Sequence, residues 1–394
     1  MKILFCDFLH WVYPKNKNEL KNYLRKYDAE CIYRQPCDIS HHTRKLLSDL
    51  PTQEPQKEYR GFNVDSLCQT ETTMEAGWYD IPIAIRNRYR TWVMYLIDWA
   101  YEVFEEERPD YLYVEGGLTY LSRPLIEVAR ELNIGLITTE NSFIKDKIFI
   151  EFDTGYVVNR HSFARNSQDW LDTRCLTEKQ HQEVDDIIEN VFSSLAYQTE
   201  GEFDFATLKY KKTVFIPLQV YADQVTVYDS KYNNETFLKV IMALATSYFK
   251  KWNIILKCHP KEERNKPKAT GDWLAKQRLP ENITIIRGET YSYNTQELIK
   301  KSDLIFVNNS QAGLEACLLE KPVVVFGDAF YAKKGFTIDA ENADWEKIIA
   351  DPDKFVNIEE MKKWFYYFYK WLYNRTFTDV DKQRIKKKLH LGGK

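Results

Sequence analysis

Short runs of β-branched and aliphatic residues recur along this chain, separated by long stretches whose apolar residues follow the helical period. Strands spaced so far apart are joined by crossover helices, so such a chain folds into parallel sheets buried on both faces. In the second half the pattern predicts strands at 213–218, 254–257, 283–286, 304–307 and 323–326, with helices at 237–252, 295–301 and 311–319. In the first half it predicts strands at 2–6, 111–114 and 135–138. Between the last two, Leu125, Ile126, Val128, Ala129 and Leu132 repeat at helical spacing and complete a βαβ unit. A long helix over 83–107 opens after Pro82 and stops at Arg108-Pro109. Residues 165–210 read as polar and helical, and those beyond 340 as helical. The aromatic segment 364–373 is expected to pack between domains, since on a surface it would expose an unusually large apolar patch.

A chain of 394 residues exceeds one ordinary core and suits two. The expected architecture is α/β, with two Rossmann-like domains and a cleft between them. The first would cover 1–207, the second 208–355, and a helical segment over 356–394 would cross back to the first. Lys and Arg number 55 against 58 Asp and Glu, and a net charge of −3 gives no reason to expect a nucleic acid. The 26 Tyr, 22 Phe and 10 Trp suit either carbohydrate-handling surfaces or large cores. The seven cysteines are scattered, with no C-x-x-C pair and no zinc spacing, as expected of reduced thiols in a cytoplasmic protein. The start, Met1-Lys2-Ile3-Leu4-Phe5, is too short for a signal peptide and reads as a buried strand. No apolar stretch reaches the ~20 residues of a membrane helix, so a lipid-linked substrate would be met from the membrane surface or through a partner. The basic tail, with Lys386-Lys387-Lys388, reads as a solvated helix end able to attract anionic headgroups.

The chemistry-bearing segments follow strands, where parallel sheets place their ligands. Lys257-Cys258-His259-Pro260 puts an imidazole and an ammonium at a strand end, able to bind or protonate a phosphate. Asn308-Asn309-Ser310-Gln311-Ala312-Gly313 ends a strand and opens a helix with small residues, the pattern of an anion site made from backbone N–H groups. Gln219-Val220-Tyr221-Ala222-Asp223 follows the first strand of the second half and would bring a carboxylate to the cleft. In the first half, Thr138-Thr139-Glu140-Asn141-Ser142 and Glu115-Gly116-Gly117 follow neighbouring strands. Each has a plain structural alternative: a turn histidine, a helix cap, a solvated carboxylate, a tight glycine turn. There is no G-x-G-x-x-G and no G-x-x-x-x-G-K-[ST]. Asp351-Pro352-Asp353 has the acidic spacing of a metal site but falls between helices and reads as a capping turn, and His41-His42 reads as surface, with acceptor binding as the second option.

The run from Asn308 through Ala316 and Lys321-Pro322-Val323, followed by Gly327-Asp328-Ala329-Phe330-Tyr331 and Gly335-Phe336-Thr337, resembles the capsule polysaccharide biosynthesis family, β-Kdo glycosyltransferases of bacterial capsule and O-antigen assembly. Lys257-Cys258-His259-Pro260, Gln219-Val220 with Asp223, and Glu140-Asn141-Ser142-Phe143 with Asp153, Gly155 and Asn159 fit the same pattern, although the family has glycine where this chain has Ser142. The resemblance covers about residues 110 to 340 and leaves the first 100 unmatched. It implies a GT-B-like fold, CMP-β-Kdo as donor, and transfer with the β configuration kept. On this reading Asp223 is the nucleophile, His259 assists the departing CMP and Glu140 serves the acceptor side. Gln219, Lys257, Pro260, Asn308, Asn309, Ser310, Gln311 and Ala312 would bind the donor, while Glu115, Gly116, Gly117, Asn141 and Ser142 are candidate acceptor or sugar contacts. A CMP-sugar departs as a monophosphate ester, so a helix start with His259 and Lys257 could stabilise it, and neither cofactor nor metal is expected. The expected partners are CMP-Kdo and a glycan or glycolipid acceptor, met in the cytoplasm or at the inner face of the bacterial inner membrane, alone or within an assembly complex. Two rivals remain: an inverting, sialyltransferase-like CMP-sugar transferase with Asp223 as base, and a non-catalytic glycan-binding subunit.

Overall fold

The computed structural model describes residues 1–6, 14–34, 54–76, 81–156, 162–194, 203–221, 223–259, 270–287 and 293–391. Pro260, Asn159 and His41-His42 lie outside them. The chain forms two compact units, one of Met1–Ala76, Asp80–Asn166 and Tyr369–Lys394, the other centred on Ser167–Phe368.

The first unit is built on β1 (Lys2–Cys6), β2 (Glu30–Arg34), a small hairpin of β3 (Glu58–Tyr59) and β4 (Phe62–Asn63), β5 (Tyr111–Glu115), β6 (Gly135–Asn141) and β7 (Lys147–Phe152). β2, β1, β5 and β6 run parallel in that order, and β7 pairs antiparallel with β6. Tyr373–Asn374 adds an edge strand beside β7, so the chain returns to this unit at its end. The two-residue period of β1 sends Leu4 and Cys6 to one core cluster and Ile3 and Phe5 to another. The helices Ile83–Glu107 and Arg123–Glu131 cover the first face. Leu20, Tyr23 and Leu24 of the helix Pro14–Arg25 cover the second, together with Ile385 and Leu389.

The second unit carries β8 (Lys212–Pro217), β9 (Trp252–Lys257), β10 (Ile283–Ile286), β11 (Leu304–Val307), β12 (Val323–Val325) and β13 (Ile338–Asp339). All pair in parallel, in the order β10-β9-β8-β11-β12-β13. By rank in the chain this is 3-2-1-4-5-6, the dinucleotide-fold order, whose direction reverses between β8 and β11. The fold is thus the expected pair of Rossmann-like sheets.

Three features differ from the sequence expectation. The units divide at Asn166 and Ser167 rather than near 208, because the polar helix Glu178–Ser194 is tied to the second unit. Tyr366 Oη donates to Glu183 at 3.1 Å and Lys362 pairs with Asp185 at 2.6 Å. The final segment begins at Tyr369 rather than 356, within the helix Ile358–Trp371. Glu140 does not follow a strand: β6 continues through Asn141 and turns back into β7, placing Glu140 opposite Phe149. The aromatic segment is packed, with Trp364 stacked on Phe368 at 4.8 Å and also meeting Phe330 and Phe336. No described helix is long and apolar enough to cross a membrane.

Candidate active site

The C-terminal ends of β9, β8 and β11 are neighbours, so the segments after Lys257, Pro217 and Val307 emerge side by side where the strand order reverses. The register is locked at this edge, where Leu218 N donates to the Lys257 carbonyl oxygen at 2.9 Å. Asp223 closes a short loop through its own N–H to Val220 O, and its carboxylate caps the helix Gln224–Asp229 by accepting from Val225 N at 3.0 Å. His259 stands two residues beyond β9 and is half-buried.

The loop after β8 is held to the end of β11 by a net of hydrogen bonds. Asn309 N donates to Gln219 Oε1 at 3.1 Å, and its side-chain amide donates to Val225 O and accepts from Thr226 Oγ1, both at 3.1 Å. Asn308 accepts from Ser230 Oγ at 2.7 Å and donates to Tyr232 O at 2.8 Å. Both asparagines are almost wholly buried. Their side chains are therefore committed to fixing Gln219–Tyr232, and through it Asp223, at the strand switch; unmaking such bonds would leave buried polar groups unsatisfied. The exposed Gln311 and half-buried Ala312 begin the helix Gln311–Leu318, capped by Ser310, whose Oγ accepts from Ala312 N at 3.3 Å.

Behind that helix start, Gly313 leaves no room for a side chain: a Cβ would lie 2.1 Å from the Tyr331 hydroxyl and 2.9 Å from Val307 Cγ2. Tyr331 is fully buried and donates to Ser310 O. Gly313→Ala is expected to cost about 1–3 kcal/mol through overpacking and to release Ser310, which thermal denaturation and CMP titration of the variant would check.

Reasoning from sequence missed Glu315, although its place four residues after Gln311 puts it on the same helix face. Lys257 Nζ donates to Thr295 Oγ1 at 2.6 Å. Burial pushes the Lys257 ammonium down to about 8, against the pull of Glu315. Burial likewise raises the Glu315 carboxyl to about 7, against the pull of Lys257. A raised carboxyl contributes stability that is present below the unfolded value of 4.5 and lost as pH rises through about 7. A depressed ammonium contributes stability that is present above 10.5 and lost as pH falls through about 8. Between those limits both groups are charged and poorly hydrated, each compensating the other. Glu315→Gln removes that compensation, so the alkaline limb of the CMP-affinity profile should move down by about one pH unit. An unmoved limb would separate Glu315 from the site.

In the first unit, Glu115, Gly116 and Gly117 end β5 beside Glu140 and Asn141 of β6. Gly116 and Gly117 take φ of 69° and 87°, the left-handed turn that glycine permits. Asn141 Oδ1 accepts from Arg375 at 3.0 Å, and Ser142 Oγ accepts from Ile144 N at 3.2 Å. Among the described residues no group of three His, Cys, Asp or Glu is placed to hold a metal ion. Asp351 stands between the helix Trp345–Ala350 and the turn Pro352–Phe355, as expected by position, but its side chain makes no capping hydrogen bond and pairs with Lys354 at 3.2 Å.

Residues 196–369 match the family model of capsule polysaccharide biosynthesis proteins. The family resemblance read from the motifs thus holds over that span, while Glu140 and its neighbours fall outside it. Thermosulfurimonas dismutans KpsC, beta Kdo 2,4 transferase, aligns with a TM-score of 0.50 at 19% identity, covering 67% of this chain and 85% of that one. Its beta Kdo 2,7 transferase aligns at 0.42 and 18%, covering 67% and 78%. Methanocaldococcus jannaschii UDP-GlcNAc 2-epimerase aligns at 0.39 and 14% over the whole of both chains. At 19% identity the first of these likenesses is one of fold. No curated protein matches the chain.

Proposed function

We propose, from a second unit that carries the capsule polysaccharide biosynthesis pattern, that this protein is a glycosyltransferase moving Kdo from CMP-β-Kdo to a bacterial surface glycan with retention of configuration and without a bound metal. The supporting observation is the convergence of Asp223, His259 and the Ser310–Ala312 helix start on the ends of three adjoining parallel strands. Retention requires two inversions. In the first, the Asp223 carboxylate bonds to the anomeric carbon while the bond to the CMP phosphate oxygen breaks and CMP departs. The amides at the helix start, the His259 imidazole and the Lys257 ammonium stabilise the phosphate as its charge grows. In the second, an acceptor hydroxyl displaces the aspartyl ester and passes its proton to a base. Glu140 is assigned that role on the family resemblance.

Gln219, Asn308 and Asn309 hold the loop that carries Asp223, and Gln311 borders the donor; Pro260 remains a donor-side candidate on the family resemblance alone. Glu115, Gly116, Gly117, Asn141 and Ser142 remain the acceptor-side candidates. Six described cysteines are free thiols, which supports a cytoplasmic reaction. A donor screen with CMP-Kdo, CMP-sialic acid, UDP-sugars and GDP-sugars tests the reading. Turnover of CMP-Kdo to a β-linked product by NMR is expected. An α-linked product would replace it with the inverting reaction, and no turnover of any donor would favour a glycan-binding subunit.

A further inference from the structure

The first unit gathers cations that the described acidic residues do not balance. The helix Pro14–Arg25 ends in Arg25 and is followed by Lys26, and the helix Asp379–Lys388 ends in Lys386, Lys387 and Lys388. The two helices share a core cluster through Leu20, Tyr23, Leu24, Ile385 and Leu389, and the Tyr23 hydroxyl donates to Lys382 O. The Lys386 ammonium consequently lies 5.6 Å from the centre of the Tyr27 ring. Arg25, Lys26, Lys386, Lys387 and Lys388 are exposed and Lys21 is half-exposed. None of the six forms an ion pair with a described carboxylate. The nearby acids are engaged: Asp379 meets Lys382 at 3.3 Å, Asp381 is held in a capping box, and Glu19 accepts from Phe377 N at 3.2 Å. Asp28 and Glu30 remain exposed beside the group and Glu19 keeps its charge, since its partner is a neutral amide: three negative charges against six positive.

One basic residue in a last turn complements the helix dipole; three in succession, with two more at the end of the neighbouring helix, exceed that need. We propose that this surface docks on a membrane rich in anionic phospholipid headgroups. The phosphates neutralise the six cations, while the partly exposed Tyr27 ring, beside the Lys386 ammonium, settles at the boundary between headgroup and acyl chain. A nucleic-acid backbone would answer the charge but gives the Tyr27 ring no apolar layer to enter, and the chain as a whole is acidic. The inference does not depend on the reaction proposed for the second unit.

Flotation of the full chain with phosphatidylcholine vesicles, with and without phosphatidylglycerol, tests the inference. The protein should float only with the mixed vesicles and be released at about 0.5 M salt, where screening reaches only a few ångströms. The substitutions K386E, K387E and K388E together should lower partitioning at least about 100-fold, and R25E with K26E about tenfold or more. The second set keeps the test open if the first disturbs folding, which melting temperature reports. Wild-type protein that stays unbound, folded variants that float equally well, or capture of duplex DNA without vesicle binding would each overturn the proposal.

Discussion

Asp223→Asn is expected to lower the turnover of CMP-Kdo, in both transfer and donor hydrolysis, by about 10⁴-fold while leaving the melting temperature nearly unchanged. The two halves of this result have separate causes. Asparagine caps a helix as well as aspartate does, so Val225 N keeps its partner and the helix Gln224–Asp229 keeps its start. What the substitution removes is the charged oxygen that forms the bond to the anomeric carbon. Asp223→Ala is the instructive contrast, because it should lose the cap as well, at about 1 kcal/mol of stability. Steady-state kinetics and thermal denaturation of both variants check the pair. Activity retained in the asparagine variant would remove Asp223 from the chemistry.

His259→Ala should lower kcat by about 10²–10⁴-fold, the range for losing a group that assists a leaving phosphate. A purely structural histidine would give a different signature. If the imidazole acts on the departing phosphate, a donor with a better leaving group loses less activity in the variant than CMP-Kdo does. Equal loss on both donors would confine His259 to shaping the turn after β9.

The second unit was legible because parallel strands buried on both faces are continuous apolar runs. Ile283–Ile286, Thr295–Lys301 and Leu304–Val307 fall where periodicity places them. The same logic hid β2, whose sequence Glu30-Cys31-Ile32-Tyr33-Arg34 is partly exposed at a sheet edge and lacks the buried-strand signature. It also hid β7, because the segment after residue 138 reads as a loop leaving a strand, whereas β6 runs on to Asn141 and turns back into a hairpin. The strand Tyr373–Asn374 is two residues long, below any pattern, and depends on its partner β7. The helix Glu178–Ser194 could not be assigned to a unit from composition, because long-range bonds to Tyr366 and Lys362 decide its place.

At the site, the residue types of Gln219, Asp223, His259 and Asn308–Ala312 and their positions after strands were readable, and the strand order brings them to one edge. Their division of labour was not. Asn308 and Asn309 read as ligand groups, yet their side chains bond Val225, Thr226, Ser230 and Tyr232, contacts that exist only once the sheet has formed. Glu315 was visible only as a helix residue, and its importance comes from burial beside Lys257 on a strand distant in sequence.

The most direct measurement is a crystal structure of the protein soaked with CMP. It should place the phosphate at the N–H groups of the Ser310–Ala312 helix start, within hydrogen-bonding reach of the His259 imidazole and on the side of the sheet where Asp223 stands. CMP bound at another edge of the sheet, with that helix start untouched, would contradict the account.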